Sequence, residues 1–350
     1  MLGKRIYIKD RICDMTKKMS MKEIAKLSGV SVATVSRIIN NNGRFSKETK
    51  ERVEQVMKEH GYTQNFVAKS LRMNKSYTVG ILVPDIENVF FAKVVKQLET
   101  ALFSRGYSTI ICNTDRNEIK EISYLKMLEG KMVDGLVIIS GEKDFDLTTL
   151  KMKIPVVCID RKPAKTSNIV LIQSNHEEGG YLATKQLIDE GCKNIVILLS
   201  RISLSSTKER FAGYKRALQE FSIPFQEENV IFTEQGKSYI TEAERLITQK
   251  LQKDNSVDGV FAVNDRLAIG ALRATQRCGY NIPKDIKIIG FDDDPITHYT
   301  SPHISSVKQN TNAIAEVAAT YLLNLMEIPN YEIKHNIHVI PVQLTLRETT

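Results

Sequence analysis

From Thr78 onward the chain repeats one pattern. A short, continuous run of apolar and β-branched residues is followed by an amphipathic helical stretch that stops at or near glycine. The runs read "TVGILV", "STIIC", "DGLVIIS", "PVVCID", "NIVILL", "DGVFAVN" and "IKIIGFD". Strands that are apolar on both faces belong in parallel sheets covered by helices on both sides. Stretches such as "FFAKVVKQLETALFSRG", "GGYLATKQLIDEG" and "AIGALRATQRCG" supply those helices, and the glycine suits their C-terminal cap. An α/β fold with doubly wound parallel sheets follows. About ten such units lie between residues 78 and 350, more than one compact sheet holds, so two similar lobes are expected.

Residues 21–60 carry no strand signal, only the short helical stretches "MKEIAKLSG", "SVATVSRIINN" and "SKETKERVEQVMKEHG". In the first two, Ile24, Ala25 and Leu27 form an apolar face, Gly29 permits a tight turn, and Val30, Val35 and Ile38 or Ile39 face back. That is the spacing of a helix-turn-helix. It leaves Ser31, Val32, Ala33, Thr34, Ser36 and Arg37 at the exposed start of the second helix, where small polar groups and one guanidinium can approach base edges. Asn40 at its end and Thr49 in the third helix are further candidates for DNA contact. Ser46 suits the N-cap of that third helix, and Glu48 and Glu51 suit its positive dipole end.

Charge is segregated in the same way. Residues 1–75 hold 17 Lys+Arg against 7 Asp+Glu, and the remaining residues hold 32 against 34. The whole basic excess is N-terminal, which points to an anionic partner for that segment alone, double-stranded DNA rather than a membrane. No apolar run is long enough to span a bilayer and the first twenty residues lack a secretory pattern, so a cytoplasmic location is expected. Residues 1–20 read as a disordered extension, with Met15, Met19 and Met21 as alternatives to Met1 for the translation start.

The five cysteines are scattered and without CxxC spacing, which argues for small apolar packing groups rather than disulfides or zinc. The six histidines show no ligand spacing, and no metal or cofactor is expected. Phosphate-loop, dinucleotide, zinc-protease and nucleophile-elbow motifs are absent, so neither a catalytic residue nor an enzymatic activity is expected.

The order Ala-x-x-Ser-Gly-Val-Ser-x-x-Thr-Val-Ser-Arg, then "TKERVEQVMKEHGY", then "NFVAKSL", resembles the lactose-repressor (LacI/GalR) family of bacterial transcription regulators. The resemblance continues through "IPVVCIDR", "RFAGYKRAL", "FAVNDRLAIGALRA" and "IIGFDDDP" to the end of the chain. It implies a helix-turn-helix domain over 21–63 and a hinge helix and linker over 64–75. The rest is a two-lobed core like periplasmic sugar-binding proteins, with one lobe over 76–174 and 304–337 and the other over 175–303 and 338–350. It makes Val32 and Ala33 the pair that sets operator preference. It also implies a homodimer on a pseudo-palindromic operator, with Asn65 capping the hinge helix, Ala68 in its contact stripe, Leu71 wedged into the minor groove and Arg72 beside it. Gln64 stands where the family commonly has Pro.

Carried over in the same way, the effector pocket comprises Asp85, Phe90 or Phe91, Asp160, Arg161, Arg210, Asn264 and Asp292. Carboxylates, an amide and guanidinium groups satisfy sugar hydroxyls, and an aromatic ring covers the apolar face of a pyranose. A sugar or sugar phosphate is therefore the expected effector, and repression of a carbohydrate-use operon the expected role. Ser174-Asn175 departs from the common Asp-Asn and removes a negative charge near the lobe crossover. Three readings compete. The first is a global carbon regulator with a phosphorylated carrier protein as corepressor, disfavoured because "NAIAEVAATYLLNLM" offers no Arg cluster. The others are a sugar enzyme on the same fold and a transport binding protein.

Overall fold

The computed structural model describes residues 19–62, 75–141, 151, 153–162, 169–200, 205–234 and 239–350. The chain divides into two compact units, Met1–Asn74 and Lys75–Thr350.

The first unit holds α1 (Met21–Ser28), α2 (Val32–Ile39) and α3 (Lys47–Glu59). Each starts at a serine: Ser20 forms a reciprocal capping box with Glu23, and the Ser31 and Ser46 hydroxyls accept from the backbone N–H of Thr34 and Thr49. These side chains satisfy N–H groups that a helix leaves unpaired at its N-terminus. Between α1 and α2 the chain turns at Gly29, whose φ of 67° is the left-handed conformation that a Cβ disfavours. Ile24, Ala25, Val35, Ile38 and Val53 form the core, with Val30, Phe45, Met57 and Tyr62 among the residues packed around it. Leu27 does not join it and is 52% exposed, whereas Ser28 is buried. With about 100° per residue, the buried stripe through residues 24, 25 and 28 leaves Leu27 roughly a right angle away.

The second unit contains two six-stranded sheets. The first comprises β1 (Thr78–Val83), β2 (Ser108–Asn113), β3 (Gly135–Ile139), β4 (Val156–Ile159), β5 (Val170–Ser174) and β11 (Ile337–Ile340) in the order β2-β1-β3-β4-β5-β11, all parallel. The second comprises β6 (Ile195–Ser200), β7 (Val230–Thr233), β8 (Gly259–Ala262), β9 (Lys287–Asp292), β10 (Ser305–Gln309) and β12 (Val342–Thr345) in the matching order β7-β6-β8-β9-β10-β12. Only β12 runs antiparallel to its neighbour. Val79, Ile81, Val83, Val137, Ile139, Val157 and Ile159 on one face and Leu82, Leu136, Ile138 and Cys158 on the other are all at most 1% exposed, as strands covered on both faces require. Three of the covering helices lead to the functional region: α4 (Val89–Phe103) and α5 (Glu118–Gly130) on the first lobe and α6 (His176–Asp189) at the start of the second.

The chain crosses between lobes three times, after β5, after β10 and after β11. Two expected boundaries move as a result. Residues 304–309 belong to the second lobe, because β10 pairs in register with β9, Ser305 opposite Ile289 through Lys308 opposite Asp292. Residues 338–340 belong to the first lobe, because β11 pairs with β5. The helix that follows β10, Thr311–Glu327, then returns to pack on the first lobe.

Candidate effector cleft and DNA-reading surface

In doubly wound sheets ligands sit beyond the carboxyl ends of the strands, where strand order reverses. Both lobes turn those ends toward a common cleft of about 780 Å³, including its open mouth. The first lobe supplies Asn88, Phe90 and Phe91 after β1, Arg116 after β2, Ser140 after β3 and Asp160 after β4. The second supplies Ser200, Ser206, Thr207, Arg210, Tyr239, Val263, Asn264, Asp265, Arg266, Asp292 and Asp294, with Gln309 at the end of β10. Four cleft residues other than glycine have positive φ: Arg116 (56°), Ser140 (49°), Asp160 (51°) and Asp292 (107°). Such conformations cost energy and cluster where side-chain direction matters.

A buried polar chain runs across the cleft floor. His176, the first residue of α6, places Nε2 2.9 Å from Oδ1 of Asp160, and its Nδ1 is 3.3 Å from Nη2 and 3.4 Å from Nε of Arg210. A guanidinium only donates, so Nδ1 accepts and the ring proton sits on Nε2, donated to Asp160. Asp160 also accepts from the backbone N–H of Ser174 at 3.3 Å. Arg210 donates to the carbonyl of Val263, lies 3.4 Å from Asp292, and stacks its guanidinium 3.6 Å from the centre of the Phe291 ring. Asp292 in turn accepts from the Gln309 amide at 2.7 Å.

Burial sets the electrostatics. It pushes the Asp292 carboxyl up from its ordinary range, a shift that Arg210 opposes, and it pushes Asp265 well above that range. Asp265 is fully buried, accepts from the Ser306 hydroxyl at 2.6 Å and from the backbone N–H of Asp294 at 2.7 Å, and sits beside Asp292. The cleft thus presents hydroxyls, carboxyls, amides and guanidinium groups in fixed directions, next to an edge-to-face pair of phenylalanines with centroids 5.4 Å apart. Arg266 spans the lobes by donating to the carbonyl of Glu87 at 2.9 Å.

Six of the expected pocket residues, Phe90, Phe91, Asp160, Arg210, Asn264 and Asp292, line this one cavity. Both phenylalanines do so, and not one alone. Asp85 and Arg161 do not. The Asp85 carboxylate turns back to accept from the N–H of Glu87, a local turn that takes it out of reach. Arg161 is captured by Glu121, with two contacts at 2.7 and 3.0 Å. Asn264 lines the cavity while capping the next helix, accepting from the N–H of Leu267.

Several lining residues escaped the sequence reading. Ser140 and Ser200 end apolar runs, so the rule about strand ends could have found them. Arg116 carries no such mark, nor does the buried His176 that joins the lining residues Asp160 and Arg210, and the position of both depends on backbone path. Among the described cysteines, burial pushes Cys112 up to about 11 and Cys158 and Cys192 up to about 12, which leaves them unreactive packing groups. No cluster of metal-ligating side chains occurs among the described residues. None of the described helices is long and apolar enough to cross a membrane.

In the first unit, Val32, Ala33 and Arg37 are exposed on α2, and Thr34 and Ser36 are half-buried. Ser31 caps α2, Asn40 donates back to the carbonyl of Ser36 at 2.7 Å, and the Thr49 hydroxyl meets that of Ser46 at 2.7 Å. Asn65, Ala68, Leu71 and Arg72 lie outside the described residues.

This architecture has clear relatives. The model for bacterial regulatory proteins of the lacI family matches residues 20–65, and that for a periplasmic binding protein-like domain matches 184–350. The ribose operon repressor of Halalkalibacterium halodurans is 32% identical over 334 residues, covering 95% of this chain and 97% of its own. The chain belongs to the LacI family. The repressor PurR of Vibrio atlanticus is 34% identical over 316 residues, covering 89% and 93%. The lac repressor dimer bound to operator shares the fold, with a TM-score of 0.83 at 23% identity over 95% of this chain and 99% of that one. This LacI-family protein is accordingly a DNA-binding transcriptional repressor and not an enzyme.

Proposed function

We propose that this repressor acts in the cytoplasm as a homodimer on a pseudo-palindromic operator of a carbohydrate-use operon, and that a sugar or sugar phosphate closing the two lobes changes its hold on DNA. The observation that carries the reading is the cleft itself. Strand ends of both lobes meet there, and closely spaced hydroxyls, carboxyls, amides and Arg210 stand beside Phe90 and Phe91. Polar groups at this density match a ligand with many hydroxyls, and the ring pair matches its apolar face. The relative named a ribose operon repressor supports the same class.

On the DNA side, Val32 and Ala33 offer only apolar contact, for instance with a thymine methyl, and Arg37 is the candidate for a guanine O6/N7 pair. Ser31, Thr34, Ser36, Asn40 and Thr49 are assigned to backbone or base-edge contacts around them. Asn65, Ala68, Leu71 and Arg72 form the minor-groove hinge in this scheme. Selection of bound duplexes from a random library by the full chain tests it. A pseudo-palindrome with half-sites that respond to Val32 and Ala33 substitutions is expected, and recovery of unrelated, asymmetric sequences counts against it.

A further inference from the structure

The cations of the cleft are unequally employed. Arg210 is committed to Val263, His176 and Asp292, and Arg266 donates across the lobes to Glu87. Arg116 differs: it lines the same cavity, yet its Nη1 is buried and has no hydrogen-bond partner among the described residues. Its guanidinium carbon lies 6.0 Å from the centre of the Phe91 ring. The adjacent carboxylate does not serve it, because Asp115 is held by Lys120 and by the Asn113 amide. Consecutive left-handed residues, Asp115 at φ 51° and Arg116 at φ 56°, form the turn beyond β2 that places the side chain there.

The acceptors of the cleft floor are meanwhile taken. Asp160 receives His176, Asp292 receives Gln309 and Arg210, and Asp265 receives Ser306 and the Asp294 N–H. A guanidinium stays charged in a protein, and a donor on it that is cut off from water calls for an acceptor from outside the chain. Its planar fork fits the paired oxygens of a phosphate or carboxylate.

We propose that the effector is an anionic sugar, a phosphate ester or a sugar acid, whose anionic group is held by Arg116 while its hydroxyls face Arg210, Asn264 and Asp292. This rests on the reading of the cleft as a sugar site, and it makes Arg116 the residue that selects charged over neutral ligands.

The test uses the full chain with matched sets at equal concentration: ribose and ribose 5-phosphate; glucose, glucose 6-phosphate and glucuronate; and inorganic phosphate alone. Thermal melting ranks them, because a ligand that binds the native state raises Tm, and calorimetry gives affinities. An anionic member is expected to bind at least tenfold more tightly than its neutral parent, on the order of 1.4 kcal/mol. Arg116→Gln should erase that difference, and Arg116→Lys should keep part of it. The phosphate and acid arms identify which anion is read. Neutral sugars binding as well as charged ones, or unchanged anion preference in Arg116→Gln, overturns the assignment and leaves the sugar cleft standing. Inorganic phosphate matching the sugar phosphates also overturns it. If no sugar of either kind binds, the cleft reading falls and this inference with it.

Discussion

Replacing His176 by leucine tests the buried chain across the cleft floor. The imidazole is 1% exposed and fills two roles at once, donating to Asp160 and accepting from Arg210. Leucine is of similar bulk but does neither. Asp160 keeps only the 3.3 Å contact from the Ser174 N–H, while Arg210 retains Val263, Asp292 and the Phe291 ring. Leaving a buried hydrogen-bonding group unsatisfied costs about 1–3 kcal/mol, more for a charged one. The larger loss falls on Asp160 and a smaller one on Arg210, which together give about 3 kcal/mol. At about 2–4 °C per kcal/mol for a unit of this size, the melting transition should drop by roughly 6–12 °C. Urea unfolding followed by fluorescence and circular dichroism provides the free energy. His176→Gln, whose amide both donates and accepts, should recover much of the loss. A leucine variant within about 0.5 kcal/mol of the wild type, a typical surface-substitution effect, would refute the claim that this chain of contacts holds the cleft floor.

Other consequences follow from single residues. Burial raises the Asp265 carboxyl well above its ordinary 3.8, so the folded state holds that proton more tightly than the unfolded state does. Its contribution is fully present below pH 3.8 and declines as pH rises toward the folded value, so Asp265→Asn should flatten the fall in stability above about pH 4, as read from melting curves across pH. Gly213 brings its helix against α6 backbone to backbone: a Cβ there would lie 2.0 Å from the Glu177 carbonyl oxygen and 2.5 Å from the Tyr181 nitrogen. Gly213→Ala should therefore cost about 1–3 kcal/mol in urea unfolding, and weaken ligand binding by moving Arg210. Arg37→Ala should lower affinity for the selected operator by about 1–3 kcal/mol and relax preference at one base pair, read by fluorescence anisotropy at fixed salt. Equal losses on every sequence would instead mark Arg37 as a phosphate contact.

Much of this was legible before any coordinates. Apolar runs such as "DGLVIIS" and "DGVFAVN" mark strands because a parallel sheet buries both faces, and β3 and β8 lie within them. The serine caps of α2 and α3 sit where short polar side chains precede helical periodicity. What escaped depends on geometry that spacing does not encode. Leu27 satisfies a helical pattern as well as Ser28 does, and only the docking angle of α1 separates them. Asp85 and Arg161 carry suitable chemistry, but Glu87 and Glu121 nearby take up their hydrogen bonds first. His176 reaches Asp160 and Arg210 through a lobe crossing, and Arg116 reaches the cleft through a left-handed turn, both products of the tertiary path. The boundaries at 304 and 338 moved for a related reason: an edge strand's partner is chosen by pairing across the sheet, not by its own sequence.

The central claim is that occupancy of the cleft controls DNA binding. The most direct measurement is the affinity of the full chain for its selected operator at fixed salt, with and without a saturating ligand found by thermal melting. The account predicts a change of at least fivefold, the lower end of ordinary allosteric coupling, and loss of that change in Arg210→Met, whose operator affinity without ligand stays measurable. A ligand that binds the cleft and raises Tm yet leaves operator affinity the same would contradict it.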